Sequence, residues 1–238
     1  MAQQPLLVLA GGFGTRLHAV VSDVPKPLAS VAGQPFLRHL LEHWRAQNVG
    51  WFVFLLHHRA QAVKDFLESP RQRELLHGCT VQTVTEEQPM GTGGAVAYAV
   101  QTAGLSEEFL VANADTWLGH GIQGIAAATA PAMAIVHVHN TDRYGQVQLD
   151  RTAVCAFQEK QDSTGSGWIN AGSYKLHARL FHDWNGRPFS LERDLLPGLA
   201  ATGELRAVPI DSTFIDIGIP EDYFRFCRWI ETGQFGAL

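Results

Sequence analysis

Cysteine and charge are both scarce in this sequence. Its 238 residues include 3 cysteines, and 17% of the residues are charged. Cys79, Cys155 and Cys227 lie far apart and form no CxxC pair, so the sequence does not suggest a disulfide framework. The low charge and the 46% hydrophobic content also exclude a disordered chain. We expect a folded protein in a reducing cytoplasm.

The sequence also lacks a long apolar run and a surplus of basic residues. The first apolar run, at residues 5–10, is short and follows no basic region, so we expect neither a signal peptide nor a transmembrane span. Lys and Arg number 18 against 23 Asp and Glu, which gives a net charge of −5. Because a nucleic-acid partner requires a basic face, we predict no nucleic-acid partner and no membrane partner.

Short apolar runs that alternate with helical periodicity are abundant in the first half of the chain. This pattern predicts an α/β fold with a largely parallel sheet covered by helices. The second half has strand-like pieces followed by helices. We predict one domain over residues 1–238, with a nucleotide-binding half at 1–118 and a second half at 119–238 that covers it. The predicted strands are 5–10, 51–56, 79–84, 108–112, 132–139, 146–149, 153–158 and 167–176, and the predicted helices are 36–47, 60–67, 93–102, 191–201 and 221–232.

A glycine-rich loop follows the first predicted strand, in the sequence LAGGFGTRL. Glycines let the backbone approach a ligand closely, and successive N–H groups can then bind an anion. Arg16 adds a planar cation suited to phosphate, and Lys26 stands between two prolines that stiffen the chain. Neither GxGxxG nor GxxxxGK[ST] is present. The alternative is a tight turn with a surface Arg and Lys, which fits the glycines alone better than the whole set.

These motifs resemble those of the sugar-1-phosphate nucleotidyltransferases. The resemblance rests on LAGGFGTRL, the following DVPKPL and the later GQPFL, and it continues to the last predicted helix. It implies a Rossmann-like three-layer αβα sandwich with a mixed, mostly parallel central sheet. It also implies transfer of a nucleoside monophosphate from an NTP to a sugar 1-phosphate, with Arg16 and Lys26 as catalytic residues.

The nucleotide site implied by the resemblance combines the glycine loop with a second glycine segment, EEQPMGTGGA. A carboxylate at Glu86 could accept from the adjacent donors of guanine, which favours GTP over CTP. The alternative is that Glu86 and Glu87 form a solvated turn and the backbone alone contacts the base. The candidate nucleotide-binding residues are Leu9, Ala10, Gly11, Gly12, Gly14, Thr15, Glu86, Gly91, Thr92 and Asn113.

Two acids are candidates for a Mg²⁺ site. Asp115 follows a buried strand, and Asp216 stands within the apolar run FIDIGIP. Mg²⁺ takes few protein carboxylates and completes its shell with phosphate and water, and the resemblance maps both acids onto the metal-binding pair. The alternative is a helix cap at Asp115 and a buried hydrogen bond at Asp216. Ala114 replaces a common glycine of the family, for which we expect only a slight backbone adjustment.

The sugar-phosphate side is implied by segments in the second half that follow the family's order. Hydroxyl-rich rings need paired donors and acceptors, and the phosphate needs a cation. The candidate sugar-phosphate-binding residues are Tyr144, Gly145, Glu159, Lys160, Asn170 and Gly172. Glu192 is also an acid in this region, but the first turn of a helix favours acids in any case, so we leave it out of the site.

Within the family, the segment VVSDVPKPLASVAGQPFLRHLL most resembles the D-glycero-α-D-manno-heptose 1-phosphate guanylyltransferases of bacterial surface-polysaccharide synthesis. Mannose-1-phosphate guanylyltransferases and N-acetylmuramate 1-phosphate uridylyltransferases are the alternatives. A glycosyltransferase lacks support because Asn113-Ala114-Asp115 is not a DxD motif. A non-catalytic nucleotide-sugar-binding protein is a further alternative class. The apolar stretch at 223–230 fits either a homo-oligomer interface or a helix packed on its own domain.

Overall fold

The computed structural model describes residues 4–17, 20–21, 23–158 and 165–233. The strands in these ranges are β1 (Leu6–Leu9), β2 (Ser30–Val31), β3 (Gln34–Pro35), β4 (Trp51–Leu56), β5 (Thr80–Thr85), β6 (Glu108–Asn113), β7 (Thr116–Leu118), β8 (Ala132–Val138), β9 (Gln146–Asp150), β10 (Ala153–Gln158), β11 (Gly167–His177), β12 (Arg206–Pro209) and β13 (Phe214–Asp216). The α-helices are α1 (Phe36–Ala46), α2 (Ala60–Glu68), α3 (Pro70–Leu75), α4 (Gly91–Thr102), α5 (Gly121–Ala126), α6 (Leu196–Ala201) and α7 (Pro220–Thr232). None of these helices is both long and apolar enough to cross a bilayer.

Nine strands form one sheet in the order β5-β4-β1-β6-β11-β8-β12-β10-β9. β5, β4, β1 and β6 pair in parallel, as do β8 and β12. β11 runs antiparallel to both neighbours, and β10 runs antiparallel to β12 and β9. Within this nine-stranded sheet, all strands except β10 and β11 therefore run in the same direction. The expected mixed, mostly parallel sheet is confirmed.

Both faces of the sheet are buried, which explains the continuous apolar runs of its central strands. In β1, Leu6 and Val8 face one core, which α1 and α7 cover, while Leu7 faces the other. That second core contains the buried side chains of α4 and α6. Helices therefore cover each face of the sheet, and the predicted three-layer αβα architecture is confirmed.

Several short elements escape the sequence analysis. The strands β7, β12 and β13 have three or four residues each, too few to display a periodicity. The predicted helix at 191–201 begins with a π-helical turn at Leu191–Leu195 and becomes α-helical only in α6. The Ser190 side chain accepts from the Arg193 N–H at its start. A π-helical turn of this kind is frequent near functional sites.

The last helix, α7, packs on its own domain. Phe226 is fully buried, and its ring lies 4.9 Å from that of Phe36 in α1. Tyr223 is 8% exposed, and its hydroxyl donates to the Ser30 carbonyl. On the outer side of this helix, Phe224 remains 46% exposed. The apolar residues at 223–230 are thus mainly explained by packing within the domain.

Candidate active site

The glycine loop after β1 lies against two neighbouring segments and needs Gly11 and Gly14 for that reason. A Cβ on Gly11 would lie 3.0 Å from the backbone nitrogen of His57. Gly14 has a φ of +63°, and a Cβ there would lie 3.2 Å from the Cβ of Lys26. The loop therefore runs between the end of β4 and the segment that carries Lys26. It leaves Thr15 and Arg16 exposed at the rim of a cavity of about 190 Å³.

Lys26 lines this cavity and lies between two carboxylates. It begins a short 3₁₀ turn after Pro25, and its side chain is only 10% exposed. Its Nζ lies 2.5 Å from Oδ2 of Asp115 and 3.8 Å from Oδ1 of Asp216. A Cβ on Gly218 would lie 2.7 Å from Asp216 Oδ1 and 3.1 Å from Lys26 Nζ. There is therefore no room for a side chain at position 218 beside the ammonium group and the Asp216 carboxylate.

The small two-stranded sheet of β7 and β13 brings the two acids together. β13 pairs antiparallel with β7, so that Asp216 lies opposite Thr116, the residue after Asp115. The Ile217 N–H also donates to the Asp115 carbonyl at 2.9 Å. Burial raises the pKa of Asp216, and the nearby charge of Asp115 raises it further, against the opposing effect of Lys26. The predicted convergence of the two acids is found in the structure.

The donor set fits a hard divalent cation such as Mg²⁺. The side chains of Asp115 and Asp216 are 34% and 23% exposed, so neither carboxylate is fully buried, and Asp115 lines the cavity. Within the described ranges, no cluster of three or more His, Cys, Asp or Glu side chains forms a complete metal cage. Two carboxylates suit a metal that takes its other ligands from phosphate and water. The charge of Arg16 also acts on Asp216 and lowers its pKa, against the larger effect of burial.

A second cavity, of about 310 Å³, adjoins the first and shares Leu9, Gly12 and Asp115 with it. Between them, the two cavities contain all of the predicted nucleotide-binding residues. Leu9, Ala10, Gly12, Gly14 and Thr15 line the first, and Leu9, Gly11, Gly12, Glu86, Gly91, Thr92 and Asn113 line the second. The predicted nucleotide-binding residues are therefore brought together along one continuous wall.

Glu86 lies in this second cavity and is only 9% exposed, whereas Glu87 is exposed. The solvated turn considered for both acids does not describe Glu86. Its Oε2 accepts from the Met90 N–H at 3.1 Å, which closes the turn before α4. Burial raises the pKa of Glu86, while the Met90 hydrogen bond and the charge of His57 act in the opposite direction. One carboxylate oxygen thus stabilises the protein itself.

The glycines of the second segment are required by close contacts with Phe189. The N–H groups of Gly93 and Gly94 donate to the carbonyl of Phe189 at 3.0 and 3.2 Å. A Cβ on Gly91 would lie 2.5 Å from the same oxygen, and one on Gly93 would overlap the Phe189 ring. These glycines let the segment 189–192 pack against the start of α4. The N–H groups of Gly93 and Gly94 are therefore bonded within the protein.

The segment 189–192 links the two sides of the site through Glu192. Glu192 Oε2 accepts from the hydroxyls of Thr92 at 2.6 Å and Ser190 at 2.8 Å. Its Oε1 accepts from the hydroxyl of Tyr174 at 3.3 Å, and Tyr174 in turn accepts from Asn170 Nδ2 at 2.8 Å. Sequence reasoning left Glu192 out of the site. The signal available was the segment Ser190-Leu191-Glu192, which was interpreted as an ordinary helix start.

Replacing Glu192 with glutamine should lower the free energy of unfolding by about 1–3 kcal/mol. The amide nitrogen of glutamine cannot accept a hydrogen bond, so at least one of the three hydroxyls, including that of the fully buried Tyr174, loses its acceptor. Glu204→Gln is the matched control because Glu204 also accepts from a hydroxyl, that of Thr202, but at an exposed site. Urea unfolding measures both variants. Equal stabilities would contradict this function of Glu192.

Two of the sugar-side candidates, Asn170 and Gly172, lie where β11 passes the end of β6. The β11–β8 register shifts between Asn170 and Tyr174. Within this bulge, the Gly172 N–H donates to Asn170 Oδ1 at 2.9 Å. Gly172 has a φ of +68°, and a Cβ there would lie 2.5 Å from Asn113 Nδ2. Gly172 therefore lets β11 pass close to the candidate nucleotide residue Asn113, while its N–H binds the candidate sugar residue Asn170.

Replacing Gly172 with alanine should cost about 2–3 kcal/mol of unfolding free energy. Both the left-handed backbone and the clash with Asn113 contribute to this cost. Gly186→Ala is the matched control, because Gly186 has a φ of +82° and no atom within 4 Å of its added Cβ. It should lose about 1–2 kcal/mol. A loss at Gly172 no greater than that at Gly186 in urea unfolding would contradict the close approach.

Tyr144 and Gly145 follow β8 in the loop that leads to β9. The Tyr144 ring lies 5.8 Å from that of Phe214, the first residue of β13. Burial raises the pKa of the Tyr144 hydroxyl, and the charge of Asp216 contributes to the increase. Tyr144 therefore lies near Asp216, one of the two candidate metal ligands. Glu159 and Lys160 lie outside the described residues and stay assigned by resemblance alone.

Known proteins match this chain along almost its full length. The chain is 31% identical to a D-glycero-alpha-D-manno-heptose 1-phosphate guanylyltransferase of Campylobacter jejuni, over 92% of this chain and 97% of that protein. It is 29% identical to mannose-1-phosphate guanylyltransferase 1 of Arabidopsis thaliana, over 93% of this chain and 63% of that protein. The crystal structure of HddC from Yersinia pseudotuberculosis complexed with GMP-PN superposes with a TM-score of 0.83 at 33% identity, over 96% of this chain and 100% of HddC.

The family model described as nucleotidyl transferase matches residues 6–233. This range includes the glycine loop, Lys26 and both carboxylates. The chain therefore belongs to the nucleotidyl transferase family.

Proposed function

We propose that this protein transfers GMP from GTP to D-glycero-α-D-manno-heptose 1-phosphate and releases pyrophosphate. The observation that carries the proposal is Lys26 lying between Asp115 and Asp216, beside the glycine loop with Arg16. The choice of heptose and guanine is supported by the similarity to the Campylobacter jejuni protein and to HddC, which was solved with GMP-PN. The product would serve surface-polysaccharide synthesis, and we assign the reaction to the cytoplasm, consistent with three free cysteines.

In the proposed reaction, an oxygen of the sugar 1-phosphate attacks the α-phosphorus of GTP in line. The bond between this oxygen and the α-phosphorus forms, and the bond from the α-phosphorus to the oxygen that bridges to the β-phosphate breaks. The phosphate nucleophile is already ionised near neutral pH, so the protein need not supply a base. Catalysis then consists of positioning the reactants and stabilising charge, as in phosphoryl transfer generally.

The cationic side chains have distinct functions in this reaction. We assign Arg16, exposed at the rim of the cavity, to the β- and γ-phosphates and the departing pyrophosphate. Lys26, fixed by Asp115 at 2.5 Å, is assigned to the α-phosphate and the incoming phosphate. Cations held in place before the reaction stabilise the developing charge without reorganisation, which can contribute several kcal/mol. We assign Lys160 to orienting the sugar phosphate.

Asp115 and Asp216 are assigned to hold Mg²⁺. When bound there, Mg²⁺ supplies positive charge that neutralises the nucleotide phosphates. Burial and the charge of Asp115 raise the pKa of Asp216. A second cation beside Lys26 would stabilise the ionised form of both carboxylates, which is consistent with a metal site. The base is assigned to the second cavity, where Glu86 Oε1 is the carboxylate oxygen without the Met90 bond.

A mannose 1-phosphate acceptor is the second candidate, and the similarity to the Arabidopsis thaliana enzyme favours it. The N-acetylmuramate 1-phosphate uridylyltransferase reaction and a non-catalytic nucleotide-sugar-binding protein have weaker support. Intact Arg16, Lys26 and both acids argue against the non-catalytic alternative.

A panel of four NTPs against several sugar 1-phosphates, assayed for pyrophosphate release, tests the proposal. We expect release only when GTP and a sugar 1-phosphate are present together, with the highest kcat/KM for the heptose. Higher kcat/KM with mannose 1-phosphate would favour the second candidate. Binding of nucleotide without pyrophosphate release in any pair would contradict transfer altogether.

A further inference from the structure

A buried carboxylate outside the proposed catalytic set lies in the first turn of α7. Asp222 is 3% exposed. Its Oδ2 accepts from Arg143 Nη2, and its Oδ1 lies 3.1 Å from Arg225 Nη1. An ionised carboxylate is costly to bury unless cations and hydrogen bonds compensate it. Asp222 therefore depends on its two arginines, one on its own helix and one on the loop between β8 and β9.

Arg143 connects Asp222 with the sugar side of the site. The same Nη2 that binds Asp222 also donates to the Tyr144 hydroxyl at 2.7 Å. The guanidinium carbon lies 5.2 Å from the centroid of the Tyr144 ring, within the range of a cation–π contact. Arg143 thus fixes both the hydroxyl and the ring of its neighbour.

The helix dipole alone does not explain this arrangement. Acids are favoured in the first turn of any helix, and α7 has two there, Glu221 and Asp222. Glu221 is exposed, as a charge that interacts only with a helix dipole can be. Asp222 is instead buried against Arg143, which is 79 residues away in the sequence. An acid that interacts only with the helix dipole does not have to be buried. The burial of Asp222 therefore indicates a further function.

We propose that Asp222 is a positioning residue for the sugar 1-phosphate. Through Arg143 it holds Tyr144 against Phe214 and thus beside the strand that ends at Asp216. This inference rests on the proposed function, because Tyr144 is a candidate sugar-phosphate-binding residue only if the chain uses a sugar 1-phosphate. It predicts that loss of the carboxylate weakens sugar 1-phosphate binding while the chemical step and the GTP site are retained.

Asp222→Asn tests the proposal in the pyrophosphate-release assay. We expect the KM for the sugar 1-phosphate to rise about tenfold, while kcat and the KM for GTP change by less than about threefold. Glu221→Gln is the matched control, since it removes an equal charge from the same helix turn. Arg225→Gln removes the other partner of Asp222 but leaves the contacts from Asp222 through Arg143 to Tyr144, so it should change the KM for the sugar 1-phosphate by less than about threefold. Arg143→Gln should reproduce Asp222→Asn, and the double variant should be no worse than either single one.

Trypsin cleavage of the Arg143–Tyr144 bond, followed by mass spectrometry, provides a readout that needs no activity. Cleavage requires local opening of the segment, which Asp222 opposes in the proposal. Cleavage at this bond should be about tenfold faster in Asp222→Asn than in the wild type or in Glu221→Gln. The proposal is overturned if Asp222→Asn keeps the wild-type KM for the sugar 1-phosphate, whether or not cleavage is faster.

The two readouts separate the failure of this inference from that of the proposed function. If the wild type releases no pyrophosphate with any substrate pair, the proposed function fails. In that case, an unchanged rate of trypsin cleavage in Asp222→Asn would also overturn the inference, independently of any activity. In that case faster cleavage would support only the structural part of the inference, that Asp222 holds the Arg143–Tyr144 segment. If the wild type is active and Asp222→Asn behaves like Glu221→Gln, the inference falls and the proposed function stands.

Discussion

Replacing Lys26 with methionine lowers kcat for pyrophosphate release by about 10²–10³-fold. Methionine matches the lysine side chain as far as Cε, but the ammonium group between Asp115 and Asp216 is lost. Because Lys26 is assigned to the α-phosphate and the incoming phosphate, its charge matters most when negative charge concentrates at the reacting phosphorus. Steady-state kinetics at saturating GTP and sugar 1-phosphate measure the loss.

The control for this variant is Lys64→Met. Lys64 lies in α2, outside both cavities that contain the nucleotide candidates, so its replacement removes the same charge without touching the site. We expect its kcat to stay within about twofold of the wild type. Urea unfolding of Lys26→Met must first establish that the fold survives. A folded Lys26→Met protein with wild-type turnover would refute the catalytic assignment of Lys26.

Replacing Asp216 with asparagine should lower kcat by about 10²-fold or more at a fixed Mg²⁺ concentration. The amide keeps the size of the side chain, and its oxygen can still accept the Gly218 N–H that Asp216 Oδ1 accepts at 2.7 Å. The change therefore removes mainly the negative charge assigned to Mg²⁺. Activity should be partly restored by raising the Mg²⁺ concentration, since weakened binding can be offset by mass action.

The matched control is Asp211→Asn, an exposed carboxylate on the segment that leads into β13. It removes one charge five residues earlier in the chain, and its kcat should stay within about twofold of the wild type. Equal Mg²⁺ dependence in wild type and Asp216→Asn, measured as initial rate against Mg²⁺ concentration, would exclude Asp216 as a metal ligand.

The layers of the fold could be predicted from the sequence because both faces of its central strands are buried. β4 (Trp51–Leu56) coincides with the predicted strand at 51–56, and α1 ends one residue before the predicted helix at 36–47. The order of the strands could not be predicted, because β11 inserts between β6 and β8 through long-range pairing. The small sheet of β7 and β13 could not be predicted either, because its strands are too short for a periodic signal.

The residues at the centre of the site could be predicted from the sequence, whereas the residues that hold them in position could not. Asp115, Asp216, Arg16 and Lys26 are polar residues in or beside apolar runs and glycine loops, so their types and positions are unusual for a core. The functions of Glu192 and Asp222 depend on partners about 80 to 100 residues away, and nothing local distinguishes them from ordinary first-turn acids. The packing of Gly91 and Gly93 against Phe189 is hidden for the same reason.

Mn²⁺ binding in the presence of GTP, followed by electron paramagnetic resonance, tests most directly whether the two acids hold the metal beside the nucleotide. The account predicts that the double variant Asp115→Asn/Asp216→Asn binds Mn²⁺ at least about tenfold more weakly than the wild type under these conditions. Equal affinities in two well-folded proteins would contradict it.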